Sequence, residues 1–482
     1  MTIPDNLFDV ILIISWFGAL LTVPSILLQR AGRPTAALSW ILALFALPVI
    51  TLLAWWLFGR IHLRRKRRYR RQASATTSEQ LLQTRQHLLK TGKIASEIEQ
   101  PTFLLAPHLP SLLDDSVFPA TAGNTVNLLQ NTAAAHQAWL NLVQNTQHHL
   151  HLLFYIWRND FIGRNLRDAL IQKAEQGVEV RVLIDTVGAW RLPNNFFDDL
   201  VAAGGQLARF MPIRLNSAMP TLNFRNHRKL LIVDGQHAYT GGLNVGDEYL
   251  DWQDLGIIIQ GPGVNQLQEV FIDDWQFATR EVLTDNRYFC SSSNSVLERG
   301  HGTICETFAS GPDQRINVTR ELVFLAITQC RQRLWISTPY FVPDEALILA
   351  LRTAVYRGVD VRLFQPDQSD SLLVRRASRA FYPELIQGGI SVFEYHGMLH
   401  AKAMLLDEDM VLIGSANLDT RSFRLNFELS TFIKDSRVNT ELATLLQRMQ
   451  TRSRLMSLAD LQLTSTATRI QDAVAHLLSP LL

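Results

Sequence analysis

Two stretches of the sequence share one pattern and decide the organisation of the chain: HRKLLIVDGQHAYTGGLN at residues 227–244 and HAKAMLLDEDMVLIGSAN at residues 400–417. Each has His, Lys and Asp at the same offsets, followed by a turn of small residues that ends in Asn. One HxKxxxxD pattern arises easily by chance, whereas two in matched positions, each followed by G-[GS]-x-N, do not. We therefore interpret the chain as an internal duplication with one functional motif in each half.

The sequence around the two motifs also repeats in the same order. The β-branched runs GVEVRVLID, from Gly177, and GVDVRLFQP, from Gly358, each follow a helical pattern and precede a motif, as a βαβ unit requires. This order predicts an α/β fold made of two pseudo-symmetric domains. We place the first at residues 111–295 and the second at residues 296–455.

Two uncharged stretches near the N-terminus, residues 10–29 and 34–58, precede these domains. At ~1.5 Å per residue, each is long enough for a ~30 Å hydrocarbon core, so residues 1–59 are predicted to form a two-helix transmembrane hairpin. A signal peptide is disfavoured because MTIPDN carries no base before the first stretch. Buried helices of a soluble core remain the alternative, although such apolar runs are usually shorter.

Positive charge is concentrated in one place. The formal net charge is +2, but eight Lys and Arg residues lie in RIHLRRKRRYRR at residues 60–71, which leaves −6 for the rest of the chain. The positive-inside rule then places the body on the cytoplasmic side of the membrane, as a multi-pass protein. The basic run opens a tether at residues 60–110 and suits anionic phospholipids, whereas a −6 body disfavours nucleic acid.

The chain gives no sign of a cofactor or of a metal. The three cysteines, Cys290, Cys305 and Cys330, have neither metal-ligand nor disulfide spacing. The HHLH run at residues 148–151 has no acidic or Cys partner at ligand spacing. We expect phosphate chemistry without a metal.

The C-terminal tail, residues 456–482, is predicted to contain an amphipathic helix. Its ending RIQDAVAHLLSPLL places Ile470, Val474, Leu477 and Leu481 on one helical face. This face suits either the membrane surface or docking onto the core.

The repeated motif places a base beside a cation. In a strand, side chains at i and i+2 project from one face, so His227 points with Lys229 and His400 points with Lys402. Such a pair suits a phosphate. One histidine would attack phosphorus to form a phosphohistidine, and the other would protonate the leaving oxygen and then activate the acceptor.

The turns after the motifs supply further phosphate donors. Backbone N–H groups around Gly242 and Ser415, with the amides of Asn244 and Asn417, are predicted to bind phosphoryl oxygens.

Carboxylates recur at two further positions in each half. Asp234 and Asp407 lie an odd number of residues after their histidine, which turns them away from it, so we expect them to fix the hairpin. Asp254 follows the first motif histidine by 27 residues and Glu428 follows the second by 28. Each is predicted to hold the imidazole in one tautomer.

The paired motifs resemble those of the phospholipase D superfamily, in which both form one site between the halves, across about residues 110–455. More narrowly, the stretches FRNHRK, GGLNVGDEYLDWQD and NLDTRSFRLNFE, with the N-terminal hairpin, resemble the bacterial cardiolipin synthase family. The resemblance implies that a phosphatidyl group moves between two phosphatidylglycerol molecules, giving cardiolipin and glycerol, with His227 as nucleophile and His400 as acid. It implies these catalytic residues: His227, Lys229, Asp234, His400, Lys402 and Asp407.

Three other functions remain open. A hydrolytic phospholipase D and a membrane-tethered nuclease would use the same two histidines, and a scaffold that has lost catalysis is disfavoured by the intact motifs. The aromatic residues Trp157, Tyr340 and Phe341, near predicted strand ends, either line an acyl channel or pack in the core.

Overall fold

In the computed structural model, the structure describes residues 5–30, 34–56, 104–105, 117–211, 224–289, 302–314 and 316–477. The chain forms two compact units, one of residues 1–69 with 213–223 and one of residues 70–212 with 224–482. Almost all of the predicted basic run and tether, at residues 60–110, lies outside the described residues.

The first unit begins with one long apolar helix. Helix α1 (Asp5–Gln29) contains the stretch Leu12–Gln29, which is long and apolar enough to cross a membrane. Along that stretch most side chains are exposed, as expected of a lipid-facing helix.

The second apolar stretch does not form one helix. It is divided at Leu47 into α2 (Pro34–Ala46) and α3 (Pro48–Ala54). Pro48 is the cause, because proline lacks an N–H group and forces the preceding residue out of helical geometry. The rings of Trp40 and Trp55 are 5.2 Å apart, whereas a straight helix would separate these positions by ~22 Å, so α3 folds back towards α2. The second stretch is therefore not one continuous helix, and the two-span hairpin is not confirmed.

The second unit is built on one large mixed sheet. Its first-half strands are β1 (Thr121–Leu129), β2 (His149–Phe154), β3 (Glu179–Asp185), β4 (Gln206–Phe210), β5 (Arg225–Asn226), β6 (Leu230–Val233), β7 (His237–Gly241) and β8 (Gly256–Gln260). Its later strands are β9 (Thr303–Ser310), β10 (Arg333–Ser337), β11 (Phe341–Val342), β12 (Asp360–Gln368), β13 (Ser391–Met398), β14 (Ala403–Leu406), β15 (Met410–Gly414), β16 (Leu418–Asp419), β17 (Asn426–Lys434) and β18 (Ser453–Leu455). Of these, β11 and β16 pair separately from the large sheet.

The strand order is β18-β13-β12-β10-β14-β15-β17-β9-β1-β8-β7-β6-β2-β3-β4, and β5 pairs with β17. On each side of the central antiparallel β1/β9 pair, the antiparallel strands of the motif hairpin lead to three parallel strands. The α/β fold is therefore confirmed, and both halves belong to one continuous sheet.

Helices cover this sheet and connect its parallel strands. They are α4 (Thr132–Asn145), α5 (Phe161–Glu175), α6 (Asp198–Ala202), α7 (Gly263–Thr279), α8 (Val318–Gln329), α9 (Glu345–Tyr356), α10 (Leu372–Arg379), α11 (Tyr382–Gln387), α12 (Thr420–Arg424), α13 (Ser436–Thr451), α14 (Leu458–Gln462) and α15 (Thr466–Leu477). The crossover helices α5 and α9 are capped at their N-termini by Asp160 and Asp344, whose carboxylates accept backbone N–H groups of the first turn. Each half has its own apolar core against the sheet.

Helix α15 of the tail docks onto α10. Ala475 is buried there, and Arg376 and Asp472 form an ion pair at 3.4 Å. The docking face is opposite to the predicted apolar face, since Ile470, Val474 and Leu477 are exposed by 59%, 51% and 77%. Docking therefore occurs, but the apolar face remains uncovered by the described residues.

Candidate active site

Each motif histidine precedes a hairpin strand and is held by the backbone of the other half. The N–H of His227, ahead of β6, donates to the carbonyl of Phe427 in β17 at 2.9 Å. The N–H of His400, ahead of β14, donates to the carbonyl of Gln253 at 2.8 Å. The two motifs therefore lie where the halves of the sheet contact each other.

The carboxylate partners of the two imidazoles are exchanged between the halves. His227 Nδ1 lies 3.2 Å from Glu428 Oε1, and His400 Nδ1 lies 2.5 Å from Asp254 Oδ2. The sequence spacing assigned each carboxylate to the histidine of its own half, and that assignment is wrong. The carboxylates stand on segments that pass along the contact between the halves, where the nearest imidazole belongs to the other motif.

The lysines join these pairs into one cluster of charges. Lys229 Nζ donates to the carbonyl of His227 at 2.7 Å, while Lys402 Nζ lies 2.7 Å from His400 Nδ1. The charge of Lys229 reaches the other motif, because it helps to lower the pKa values of both His400 and Lys402. One charge network therefore contains both histidines and both lysines.

Burial governs the protonation of this cluster. It lowers the pKa of His227 to about 4, against the opposing effect of Glu428, and it lowers the pKa of Lys402 to about 7. Burial also lowers the pKa of His400. For Glu428, burial works in the other direction, but His227 and Lys229 hold its pKa below the usual value. The state at neutral pH is an ionised Glu428 beside a neutral His227 imidazole.

The motif aspartates lie in the hairpin turns and bind backbone. Asp234 accepts N–H groups of residues 147–149 at 2.8–2.9 Å, and Asp407 accepts those of residues 331–333 at 2.7–3.3 Å. Both have positive φ, 52° and 49°. This geometry fits the expected role in fixing the hairpin. It does not fit a direct catalytic role, because a four-residue strand separates each carboxylate from its histidine.

The turns after the hairpins do not present the backbone donors that the sequence predicts. The N–H groups of Gly242 and Ser415 already donate to carbonyls of the following segments, at 3.0 and 2.8 Å. Ser415 Oγ donates to Glu428 Oε2 at 2.5 Å. A Cβ at position 242 would lie 2.3 Å from Asp254 Oδ1. The small residues of the turns therefore let the buried carboxylates approach.

The two turn asparagines remain candidates for phosphate binding. Both are buried, and Asn244 Oδ1 accepts the N–H of Ile156 at 3.3 Å, which leaves its NH₂ group as the donor. In Asn417, only the NH₂ group can donate to a phosphoryl oxygen, because the buried Oδ1 atom, which has no hydrogen-bond partner among the described residues, is an acceptor.

Three further side chains line the site and were missed from the sequence. The Tyr155 ring lies 4.1 Å from the His227 ring, and the Trp252 ring lies 5.1 Å from the His400 ring, measured between centroids. Asn426 donates to Glu428 Oε1 at 3.0 Å. Their sequence signal is weak, because none of the three recurs at the matching position of the other motif. Of the aromatics considered for an acyl channel, Trp157 and Phe341 are fully buried core residues.

Arg228, inside the first motif, joins the halves. Its guanidinium donates to Asp274 at 2.8 Å and to the carbonyls of Glu428 and Ser310 at 3.2 and 3.1 Å. A buried cation therefore fixes the strand that carries Glu428. Elsewhere in the described ranges, no three His, Cys, Asp or Glu side chains lie close enough to share a metal ion.

Two His–Lys motifs in one charge network, at the junction of two matching α/β halves, define a phospholipase D-like protein. The model of the family described as cardiolipin synthase, PLD-like domain, matches residues 140–275 and 323–450. The sequence is 35% identical to a cardiolipin synthase of Geobacillus thermodenitrificans over 97% of this chain and 95% of that protein. It is 35% identical to cardiolipin synthase 2 of Bacillus cereus over 84% of this chain and 78% of that protein. The chain therefore belongs to the cardiolipin synthase family.

A solved structure shares the fold. The phosphatidylserine synthase of Haemophilus influenzae aligns with a TM-score of 0.57 over 77% of this chain and 98% of that chain, at 16% identity.

Proposed function

We propose that this protein is a membrane-bound phosphatidyltransferase that makes cardiolipin and glycerol from two phosphatidylglycerol molecules. The observation that carries the proposal is the exchange of carboxylates, His227 with Glu428 and His400 with Asp254, which draws both imidazoles into one network. Nearly full-length similarity to cardiolipin synthases supports the substrate class.

The first half-reaction transfers the phosphatidyl group to the protein. His227 is the proposed nucleophile because burial keeps its imidazole neutral, and its Nδ1 faces Glu428, so that Nε2 attacks phosphorus. The P–O bond to the glycerol headgroup breaks, and His400 gives that oxygen a proton. Asp254, at 2.5 Å from Nδ1, raises the pKa of His400 against the effect of burial and so stabilises the imidazolium that delivers the proton.

The second half-reaction reverses these roles. His400 takes a proton from a hydroxyl of the second phosphatidylglycerol, whose oxygen attacks phosphorus and displaces His227 Nε2. Lys229, Lys402 and the amides of Asn244 and Asn417 stabilise the phosphoryl oxygens in both steps. An arriving phosphate anion favours the charged form of the buried lysines.

The architecture serves a lipid substrate in this proposal. The halves, residues 111–295 and 296–455, act as a pseudo-symmetric pair, and the shared strand order supports this reading. Helix α1 anchors the chain in this proposal, and the basic residues that follow the second apolar stretch support a body on the cytoplasmic side of the inner membrane.

The products test transfer against hydrolysis. Purified protein is incubated with phosphatidylglycerol vesicles, and cardiolipin, glycerol and phosphatidic acid are measured together. We expect cardiolipin and glycerol in equal amounts. Phosphatidic acid as the main product would assign the chain as a hydrolytic phospholipase D instead.

A further inference from the structure

In the first half, a large apolar side chain is exposed on the segment that follows β3. Trp190, which follows β3, is 68% exposed. It lies two residues after Gly188, where a Cβ would be 2.0 Å from the carbonyl oxygen of Tyr155. The Tyr155 ring in turn packs on the ring of His227. The backbone two residues before the exposed indole therefore lies against Tyr155, which packs on the proposed nucleophile.

The second half exposes leucines near its own histidine. Ser337, at the end of β10, donates to the carbonyl of Ala401 at 3.1 Å, next to His400. The chain then reaches Tyr340, whose hydroxyl donates to Asp370 at 2.5 Å. Immediately after Asp370, Leu372 and Leu373 begin helix α10 and are 59% and 39% exposed.

Helix α15 extends this apolar surface, since it packs on α10. Its buried side carries Ala475 and the ion pair of Asp472 with Arg376. On the opposite side, Ile470, Val474 and Leu477 follow helical spacing and form a continuous exposed stripe. A helix that uses its less apolar side for docking leaves its more apolar side for another partner.

Charge and composition favour a phospholipid bilayer as that partner. The guanidinium of Arg191 lies 5.2 Å from the Trp190 ring centroid, and Arg469 precedes the stripe; both are exposed. Tryptophan beside a cation is typical of the headgroup region, and exposed arginines attract anionic lipids. A second copy of the chain as the partner would not explain why this surface lies beside a site that processes lipids.

We propose that Trp190, Leu372, Leu373 and the α15 stripe form a membrane-docking surface that seats the mouth of the active site in the headgroup layer of an anionic bilayer. Lipid headgroups then reach the histidines while the acyl chains stay in the membrane. The proposal rests on the proposed function, because the lipid substrate argues for the occupant.

Depth measurements test the contact directly. Full-length protein in phosphatidylglycerol vesicles carries an environment-sensitive fluorophore on Val474→Cys or Trp190→Cys, with Cys290 replaced by Ser; Cys305 and Cys330 are buried. The matched control is Leu349→Cys on α9, whose native side chain is 58% exposed. We expect lipid-borne quenchers to reach positions 474 and 190 but not 349.

Two results would overturn the inference. One is equal quenching at all three positions by a water-soluble quencher, with none by the lipid-borne quencher. The other is protection of position 474 from the water-soluble quencher together with energy transfer between labelled copies. That result would make the partner a second chain. Because neither readout requires turnover, the contact is tested even if the proposed reaction is wrong.

A kinetic measurement adds the consequence for catalysis. The triple variant Ile470→Ser, Val474→Ser, Leu477→Ser is expected to raise the apparent KM for vesicle phosphatidylglycerol about tenfold, because buried apolar contacts with lipid are lost. The rise should be much smaller for a monomeric short-chain substrate. Leu349→Ser should leave both values unchanged. Equal losses on both substrates would contradict membrane docking and indicate a structural role for α15.

Discussion

Glu428 and Asp254 are buried carboxylates, and each lies against an imidazole of the other half. A buried charge is tolerated only where partners compensate it, and here the partners are the two histidines, the two lysines and Ser415. Each carboxylate therefore both orients a ring and sets its charge.

Replacing Glu428 tests this role. Glu428→Gln preserves the shape but removes the charge that orients His227, so kcat for cardiolipin formation is expected to fall at least ~100-fold with little change in KM. Glu441→Gln, on the outer side of helix α13 where the carboxylate pairs with Arg437, is the control and should retain wild-type activity. A Glu428→Gln protein with more than half the wild-type kcat would contradict the assignment.

The assignment of the nucleophile leads to a second prediction. With phosphorus-labelled phosphatidylglycerol and rapid quenching, the wild-type protein and His400→Ala should carry covalent label, which accumulates more slowly in the variant. His227→Ala should carry none, because it lacks the attacking nitrogen. His396→Ala, at an exposed position, should match the wild type. Label mapped to residue 400 would reverse the roles.

At the scale of elements, the hairpin turns hold the site from a distance. Asp407 accepts hydrogen bonds from the backbone N–H groups just before β10, the strand beside β14. Asp234 does the same for β2 beside β6. These turns fix the register of the strands that follow the histidines, so the aspartates act on geometry and stability.

Substitution in a turn separates stability from chemistry. Asp407→Ala leaves several backbone donors without an acceptor and should lower the free energy of unfolding by about 2 kcal/mol, seen as a lower thermal midpoint. Asp407→Asn retains an acceptor and tolerates positive φ, so it should lose less. In both variants, the kcat of the folded fraction should stay near the wild-type value. A normal midpoint with abolished kcat would restore the catalytic role that the resemblance implies.

At the scale of the whole molecule, Arg228 is one of the buried polar links between the halves. Arg228→Met would remove the guanidinium that lies 2.8 Å from the buried carboxylate of Asp274, at a cost of about 3–5 kcal/mol, and should lower the thermal midpoint strongly. The double variant Arg228→Met, Asp274→Leu should recover much of that loss, because the buried carboxylate that the cation offsets is then removed as well. If the decrease in thermal midpoint of the double variant equals the sum of the decreases of the two single variants, the two residues are not coupled.

The α/β fold class could be predicted from the sequence, because the duplication repeats the strand pattern. The repeated His, Lys and Asp offsets located the segments that meet between the halves, and their catalytic roles stay a prediction. It failed where the answer depends on contacts between distant segments. Spacing along the chain cannot tell that Asp254 faces His400, or that the N–H groups of Gly242 and Ser415 are already bonded. Pro48 could have predicted the break at Leu47, but the uninterrupted apolar stretch favoured one continuous helix.

The exchange of carboxylates makes the halves mutually dependent. A duplicated chain is usually free to let one copy decay or specialise while the other keeps working. Here the acid that serves His227 is encoded about 200 residues downstream, and the one that serves His400 about 150 residues upstream. Deleting or replacing either repeat would therefore remove the carboxylate that the histidine of the other repeat needs, so selection acts on both repeats as one unit.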